Sequence, residues 1–251
     1  MYLDSIKGKN VIITGCNKGI GKATLENFSI YGANIFACVK TNDNEFKKFV
    51  TKLKKKNKNQ IHILHLDLSN KKKIFECVNK IFEITKDIDV LVNNAGVLFN
   101  SLFQMTSEKQ IQEMYQINYF SQIYLTQLIS RTMCKNTKGN IIFISSTSGV
   151  NHDYGRFLYS SSKASIISLT KTLSKELSSF KIRVNSISPG LTETDLMLSN
   201  TKKEIIQEEV EKIALKRIAK PEEIADVVLF LASEKSSYIN GQNLIVDGGR
   251  L

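Results

Sequence analysis

Tyr159 and Lys163 close the run Tyr159-Ser160-Ser161-Ser162-Lys163, a spacing that on a helix puts a phenol and an ammonium on one face, one turn apart. A free phenol, with a pKa of about 10, is a poor acid or base at neutral pH, and a nearby cation favours its ionised form. The pair therefore has the makings of a proton donor and acceptor for an oxygen substituent. Each unit of pKa depression requires about 1.4 kcal/mol of differential stabilisation. Spacing alone does not separate this pair from two solvated side chains, so the rest of the chain must decide.

The elements that would position such a pair are legible. The apolar run Val11-Ile12-Ile13 leads into Thr14-Gly15-Cys16-Asn17-Lys18-Gly19-Ile20-Gly21 and then a helical pattern at residues 22–31. That is a strand, a glycine turn and a helix start. Glycines allow positive φ and close approach of a pyrophosphate, and the free N–H groups and dipole of a helix N-terminus attract its charge. Strand-like runs at 10–14, 34–39, 61–66, 89–92, 140–145, 182–187 and 243–246 alternate with longer helical patterns. This order predicts an α/β fold: a doubly wound, seven-stranded parallel sheet with helices on both faces. The 251 residues, 42% hydrophobic, can fill one such core, and no repeat or Pro/Gly/Ser-rich linker divides them, so a single domain over 1–251 is expected. Pro221 followed by Glu222 and Glu223 opens a late helix whose apolar run, 227–232, should be buried.

Further motifs follow in order: Asn93-Asn94-Ala95-Gly96 after Val90-Leu91-Val92, then Asn118, Ser145-Ser146, Tyr159 with Lys163, and Pro189-Gly190. From about residue 9 to 249 this series resembles the single-domain branch of the short-chain dehydrogenase/reductase family. The glycine turn has that family's Thr-Gly-x-x-x-Gly-x-Gly form rather than the general dinucleotide fingerprint. The overall pattern is most similar to bacterial 3-oxoacyl-acyl-carrier-protein reductases, down to the closing run Ser237-Tyr238-Ile239-Asn240-Gly241-Gln242.

The resemblance implies a Rossmann-type fold and a set of roles. Tyr159 gives a proton to a substrate carbonyl, or takes one from an alcohol, as hydride crosses between substrate and nicotinamide. Lys163 lowers the pKa of Tyr159 and holds the nicotinamide ribose, Ser146 holds the substrate oxygen, and Asn118 anchors a water that relays protons to the lysine. Cofactor contacts are implied at Gly15, Asn17, Lys18, Gly19, Ile20 and Gly21 of the turn, and at Asn94, Ala95 and Gly96. Asp67 and Leu68 would meet the adenine, while Pro189, Gly190, Thr192, Thr194, Tyr159 and Lys163 complete the wall. The charged stretch at 202–217 lies in a segment, 191–220, where the family carries a substrate lid.

Cofactor choice is read at the end of the second strand, where an acid would bind ribose hydroxyls and repel a 2′-phosphate. That position holds Val39 followed by Lys40, and Lys18 precedes the second glycine, so NADP(H) is expected over NAD(H). The reaction is expected to be ketone–alcohol interconversion, on a 3-oxoacyl thioester or else a sugar, polyol or other small secondary alcohol. A catalytically idle dinucleotide-binding regulator is the alternative of another class. The arginines with which the resembled reductases dock acyl carrier protein fall here on Thr137 and Phe180, with Lys138 and Lys181 alongside to supply part of the charge.

The formal charge of +11 is concentrated at Lys47, Lys48, Lys52, Lys54, Lys55, Lys56 and Lys58. With only Phe46 and Phe49 nearby, at core-like spacing, this reads as a solvated helix face, not a nucleic-acid site. His62 and His65 would point to opposite faces of a strand, which argues against a metal. Cys16, Cys38, Cys77 and Cys134 form no Cys-x-x-Cys pair, and the Met1 start lacks a signal-peptide pattern, as suits a reducing cytoplasm. No apolar run approaches the ~18 residues of a membrane span. The resemblance also implies a homotetramer, with the helix at 158–177 and the last strand between subunits.

Overall fold

The computed structural model describes residues 4–250; the expectation about the Met1 start, and the outermost residues of the 1–251 span, lie outside the described residues. Seven strands, β1 (Asn10–Thr14), β2 (Asn34–Val39), β3 (Ile61–His65), β4 (Val90–Asn93), β5 (Gly139–Ile144), β6 (Ile182–Pro189) and β7 (Asn243–Val246), form one parallel sheet in the order β3-β2-β1-β4-β5-β6-β7. Between them run α1 (Gly19–Ile30), α2 (Asn44–Asn57), α3 (Lys71–Ile84), α4 (Glu108–Tyr115), α5 (Ser121–Asn136), α6 (Ser148–Asn151), α7 (Phe157–Glu176), α8 (Asp195–Asn200), α9 (Lys203–Glu211) and α10 (Pro221–Ala232).

The strands are almost continuously apolar because helices cover both faces. Val11 and Ile13 of β1 pack with Leu25 and Phe28 of α1, Phe46 and Val50 of α2, and Val228 and Leu229 of α10. Ile12, pointing the other way, joins Phe36, Leu91, Ile74 and Val78 of α3, Leu125 and Ile129 of α5, and Ile166 of α7. Each such side chain contributes about 1.5–3 kcal/mol on full burial. On α2 the same logic turns Phe46, Val50 and Leu53 inward and leaves its lysines exposed, and Asp43 starts the helix by accepting from Phe46 N at 2.8 Å.

Val11 pairs with Ile35 of β2 on one side and Val90 of β4 on the other, so the strand order reverses at β1. Such a reversal opens a crevice at the carboxyl ends of the strands, where ligands of open α/β sheets bind. Helix α1 begins at Gly19, earlier than the pattern at 22–31 suggests, because glycines hide a helix start from propensity. Strand β4 begins after Asp89, whose carboxylate accepts from Asn10 N at 2.8 Å. Among the described residues no helix is long and apolar enough to cross a membrane.

Candidate active site

The glycine turn is fastened to the end of β4 by short polar bonds. Thr14 Oγ1 accepts from the backbone N–H groups of Asn94 and Ala95, both at 3.0 Å, and Asn94 Nδ2 donates to the carbonyls of Thr14 at 2.9 Å and Gly15 at 3.0 Å. Gly19 has φ +52°, and a Cβ on Gly21 would lie 2.3 Å from the Gly15 carbonyl oxygen and 2.5 Å from Asn94 Nδ2. Only glycine fits there. Helix α1 has no side-chain cap at Lys18, so its first N–H groups are left for an anion. This cradle fits the pyrophosphate of a dinucleotide.

Beyond the turn, Val39 is buried and Lys40 exposed, and the nearest downstream acid, Asp43, is engaged in capping α2. Asp67 Oδ1 accepts from Ser69 N at 2.9 Å and Ser69 Oγ at 2.7 Å, while its Oδ2 lies 3.5 Å from Lys40 Nζ. Burial raises the Asp67 pKa, but the Ser69 hydrogen bonds and Lys40 outweigh it and hold the carboxyl below its ordinary range. The aspartate is thus a turn former that also leans on the lysine expected to meet a phosphate. With Lys40 64% exposed, that ion pair is weak and easily exchanged.

At the other end, Tyr159 stands in the first turn of α7 and Lys163 one turn on. Lys163 Nζ donates to the Ile144 carbonyl at 2.7 Å, and Ser145 Oγ donates to the Lys163 carbonyl at 2.8 Å, locking the end of β5 to the helix. Burial pushes the Lys163 ammonium down from 10.5 to about 8. One expectation is corrected here. Burial dominates at Tyr159 and raises its pKa; the opposing groups are the Ser146 hydroxyl, hydrogen-bonded to the phenol, and the Arg156 cation. Lys163 Nζ sits 5.7 Å from the Tyr159 ring centroid and turns toward Ile144 instead.

Asn118 is fully buried in a π-helical turn, Gln116–Phe120. Its Oδ1 accepts from Val97 N at 2.8 Å, and its Nδ2 donates to the Val97 carbonyl at 2.9 Å and toward Ser162 Oγ at 3.2 Å. The side-chain amide is therefore occupied by protein, and it braces the loop after β4 against α7. Gly96 lies between: a Cβ there would sit 3.1 Å from Asn118 Oδ1 and 3.6 Å from Lys163 Nζ.

One cavity of about 820 Å³ joins the two ends, a size ample for a cofactor and a small substrate. Its wall includes every residue expected to touch a dinucleotide, together with Ser146 and Tyr159; Asn118 stands behind it. The wall also holds residues that sequence reasoning passed over. Asp153 Oδ2 accepts from Ser148 Oγ at 2.6 Å and its Oδ1 lies 3.0 Å from Arg250, which reaches Glu209 of α9 at 2.6 Å. Arg156 also lines it, with Nη1 4.0 Å from Asp153 and Nη2 3.4 Å from Thr201 Oγ1. Arg156 was findable as a cation three residues before Tyr159, at the N-cap of α7; Arg250 and Glu209 meet Asp153 only through the fold.

Both lysines placed beside Thr137 and Phe180 are exposed, and Lys138 is held in ion pairs with Asp87 at 2.8 Å and Asp89 at 3.0 Å. His62 stacks on Phe36, ring centroids 5.3 Å apart, and among the described residues no cluster of three metal-ligating side chains occurs. The thiols are unpaired, Cys38 and Cys77 approaching to 3.8 Å.

Comparison with known proteins agrees with this geometry. Residues 15–250 match a family model described as enoyl-(acyl carrier protein) reductase. The chain is 35% identical over 244 residues to the 3-oxoacyl-[acyl-carrier-protein] reductase FabG of Aquifex aeolicus, covering 97% of this chain and 98% of that one. A short-chain type dehydrogenase/reductase from Mycobacterium marinum superposes with a TM-score of 0.91 at 27% identity, covering 99% of this chain and 97% of that one. A protein assigned as an NAD(P)-dependent gluconate 5-dehydrogenase from Beutenbergia cavernae, solved with NADP bound at low occupancy, gives 0.91 at 26% identity and 98% coverage of both chains. With its parallel sheet, its glycine cradle and a family match over nearly its whole length, the chain belongs to the short-chain dehydrogenase/reductase family, as an NAD(P)-dependent oxidoreductase acting between CH–OH and C=O groups.

Proposed function

We propose that the protein is an NADP(H)-dependent reductase of 3-oxoacyl thioesters. The observation that carries this reading is the meeting of Ser146, Tyr159 and Lys163 with the glycine cradle in one cavity; the full-length likeness to a 3-oxoacyl-[acyl-carrier-protein] reductase supports the substrate class. A bound nicotinamide supplies hydride to the carbonyl carbon. Tyr159, its pKa raised by burial, carries its proton at neutral pH and gives it to the carbonyl oxygen. Ser146 hydrogen-bonds the phenol and holds that oxygen, stabilising the charge that develops on it. The phenolate left behind is stabilised by Arg156 and by the Lys163 ammonium, which would also hold the nicotinamide ribose of a bound cofactor, and the brace through Asn118 keeps the lysine in register. Reduction is favoured at neutral pH and alcohol oxidation at higher pH, where the phenol ionises.

The choice of NADP(H) rests on the lack of an acid at the end of β2, with Lys18 and Lys40 both on the wall. Residues 191–220, which supply α8, α9 and several wall residues, would serve as the lid. A homotetramer is favoured by β7, the last strand of the sheet, with Ile245 51% exposed. The unpaired thiols suit a reducing cytoplasm. A second reading, a polyol or sugar dehydrogenase, is favoured by the commitment of Lys138 to Asp87 and Asp89, which weakens the case for carrier docking.

The deciding experiment is NADPH oxidation with an acetoacetyl thioester, on acyl carrier protein and as a small-molecule mimic, with NADH in parallel. Turnover should fall by about 10²–10⁴ in Tyr159→Phe while NADPH affinity is kept. Tight NADPH binding without thioester turnover, but with turnover of polyols, would move the assignment to the second reading; a NADH preference, or a monomer in light scattering of the same sample, would remove the corresponding element.

A further inference from the structure

The charged groups at the Tyr159 end of the cavity do not all satisfy one another. Asp153 is taken by Ser148 at 2.6 Å and Arg250 at 3.0 Å. Glu209 is taken by Arg250 at 2.6 Å and Lys212 at 2.7 Å. The other acids on that part of the wall, Glu113 and Asp195, are exposed and, among the described residues, outside ion-pair distance of Arg156. Arg156 is left with the loosest contacts of the group, 4.0 Å to Asp153 and 3.4 Å to Thr201 Oγ1.

A guanidinium carries five N–H donors in a planar fork and keeps its charge at any working pH. Its side chain is only 24% exposed, so water satisfies it incompletely. It stands at the N-cap of α7, three residues before Tyr159, lines the same cavity wall and acts on the phenol as a cation. A donor on the wall that also carries the Tyr159 phenol fits an acceptor a short distance from the reacting carbon.

We propose that Arg156 binds the C1 oxygen of a 3-oxo acid derivative, so that the site selects ketones bearing a second oxygen on the next carbon but one. This rests on the reductase reading above and names what that site reads in its substrate. Two sources share the chemistry: the carbonyl of a thioester and the carboxylate of a free 3-oxo acid. A carboxylate would engage the fork bidentately, a thioester through one oxygen.

The test compares acetoacetyl thioester, acetoacetate and 2-pentanone, which lacks the C1 oxygen, in wild type, Arg156→Gln and Arg156→Lys, each first shown to melt cooperatively and to bind NADPH. In Arg156→Gln the preference for the better 1,3-dicarbonyl over 2-pentanone, as a ratio of kcat/KM, should fall about 10- to 100-fold, the size of a lost hydrogen bond to a charged group. KM for the dicarbonyl should rise, and Arg156→Lys, which keeps the charge without the fork, should recover part of the preference. A ratio within twofold of wild type in Arg156→Gln, or a wild type that prefers 2-pentanone to both dicarbonyls, overturns the proposal. Reduction of acetoacetate but not the thioester, with the ratio still falling in Arg156→Gln, would sink the thioester reading while leaving Arg156 in its role. Thioester reduction with an unchanged ratio would do the reverse.

Discussion

At the glycine-turn end of the cavity, four hydrogen bonds of 2.9–3.0 Å join Thr14, Gly15, Asn94 and Ala95 between adjacent strands, none involving a charge. At the Tyr159 end the wall is tied by ion pairs among Asp153, Arg250, Glu209 and Lys212, which bring together a loop before α7, the last described residue, helix α9 and the residue just after it. The first arrangement uses backbone geometry and leaves no room for adjustment. The second spans residues far apart in the chain, and ionic strength weakens it wherever water reaches it. A cofactor shared by many enzymes suits the rigid end, whereas a substrate that must enter and leave suits the adjustable one.

The hardest way to break the rigid end is Gly21→Ala. The added methyl would lie 2.3 Å from a backbone carbonyl oxygen and 2.5 Å from Asn94 Nδ2, neither of which can retreat without losing the turn. The overpacking should cost about 1–3 kcal/mol of stability. Displacement of the anion cradle should weaken NADPH binding by about a hundredfold or more, equivalent to some 3 kcal/mol. Fluorescence titration with NADPH and a thermal melt check both; affinity within threefold of wild type would mean that the cradle does not carry the pyrophosphate.

The junction between the two ends is Lys163, and its expected signature is a gain in stability. Its pKa is near 8 folded against 10.5 when exposed, so between those values the unfolded chain holds more protons and stability rises with pH. Below pH 8 the full penalty, about 3 kcal/mol, is present, and above 10.5 it is gone. Lys163→Met removes the penalty but leaves the Ile144 carbonyl without its donor, at about 1 kcal/mol. At pH 7 the variant should melt roughly 4–8 °C higher, a net gain of about 2 kcal/mol, and should be inactive. That advantage over wild type should shrink steadily as the melts are repeated toward pH 10.5, and a constant difference would contradict the burial penalty.

The same contrast explains what the sequence discloses. The alternation of apolar runs, the glycine turn and Asn93-Asn94-Ala95-Gly96 are local patterns, and each reports its own geometry, so the sheet and the glycine-turn wall were legible. Arg250 and Glu209 were not, because nothing local distinguishes them from other surface charges; only the packing of α9 and the chain's last described turn against the loop before α7 brings them to Asp153. The surroundings of the Tyr159 phenol are hidden for a related reason. Spacing shows that Lys163 is one turn away, but not that one of its three N–H donors goes to the Ile144 carbonyl, nor that Arg156 adds a second cation near the phenol. Distance along a helix is readable; where a long side chain finds its hydrogen bond is not.

The smallest expected effect sharpens the comparison at the adjustable end. Arg250 is 17% exposed and pairs with Asp153 and Glu209, each about one-fifth exposed, so its bonds are only partly screened. Arg250→Met removes the cation those carboxylates share, leaving Glu209 to Lys212 and Asp153 to Ser148 and Arg156. The pKa of Asp153 is raised by burial but held below its ordinary range by the Ser148 hydrogen bond together with Arg250 and Arg156. Without Arg250 it should climb, so the variant should lose substrate affinity further as pH falls through the carboxylate range. Around neutral pH, KM for the substrate should rise about three- to tenfold, about 0.7–1.4 kcal/mol, a modest cost because both carboxylates keep another partner, while the NADPH dissociation constant stays within twofold. Raising the salt concentration should reproduce part of the KM increase in wild type and add little in Arg250→Met, since the interaction that salt screens is already gone. Equal sensitivity of NADPH binding and substrate KM to salt or to this substitution would show that the two ends are not held by different forces.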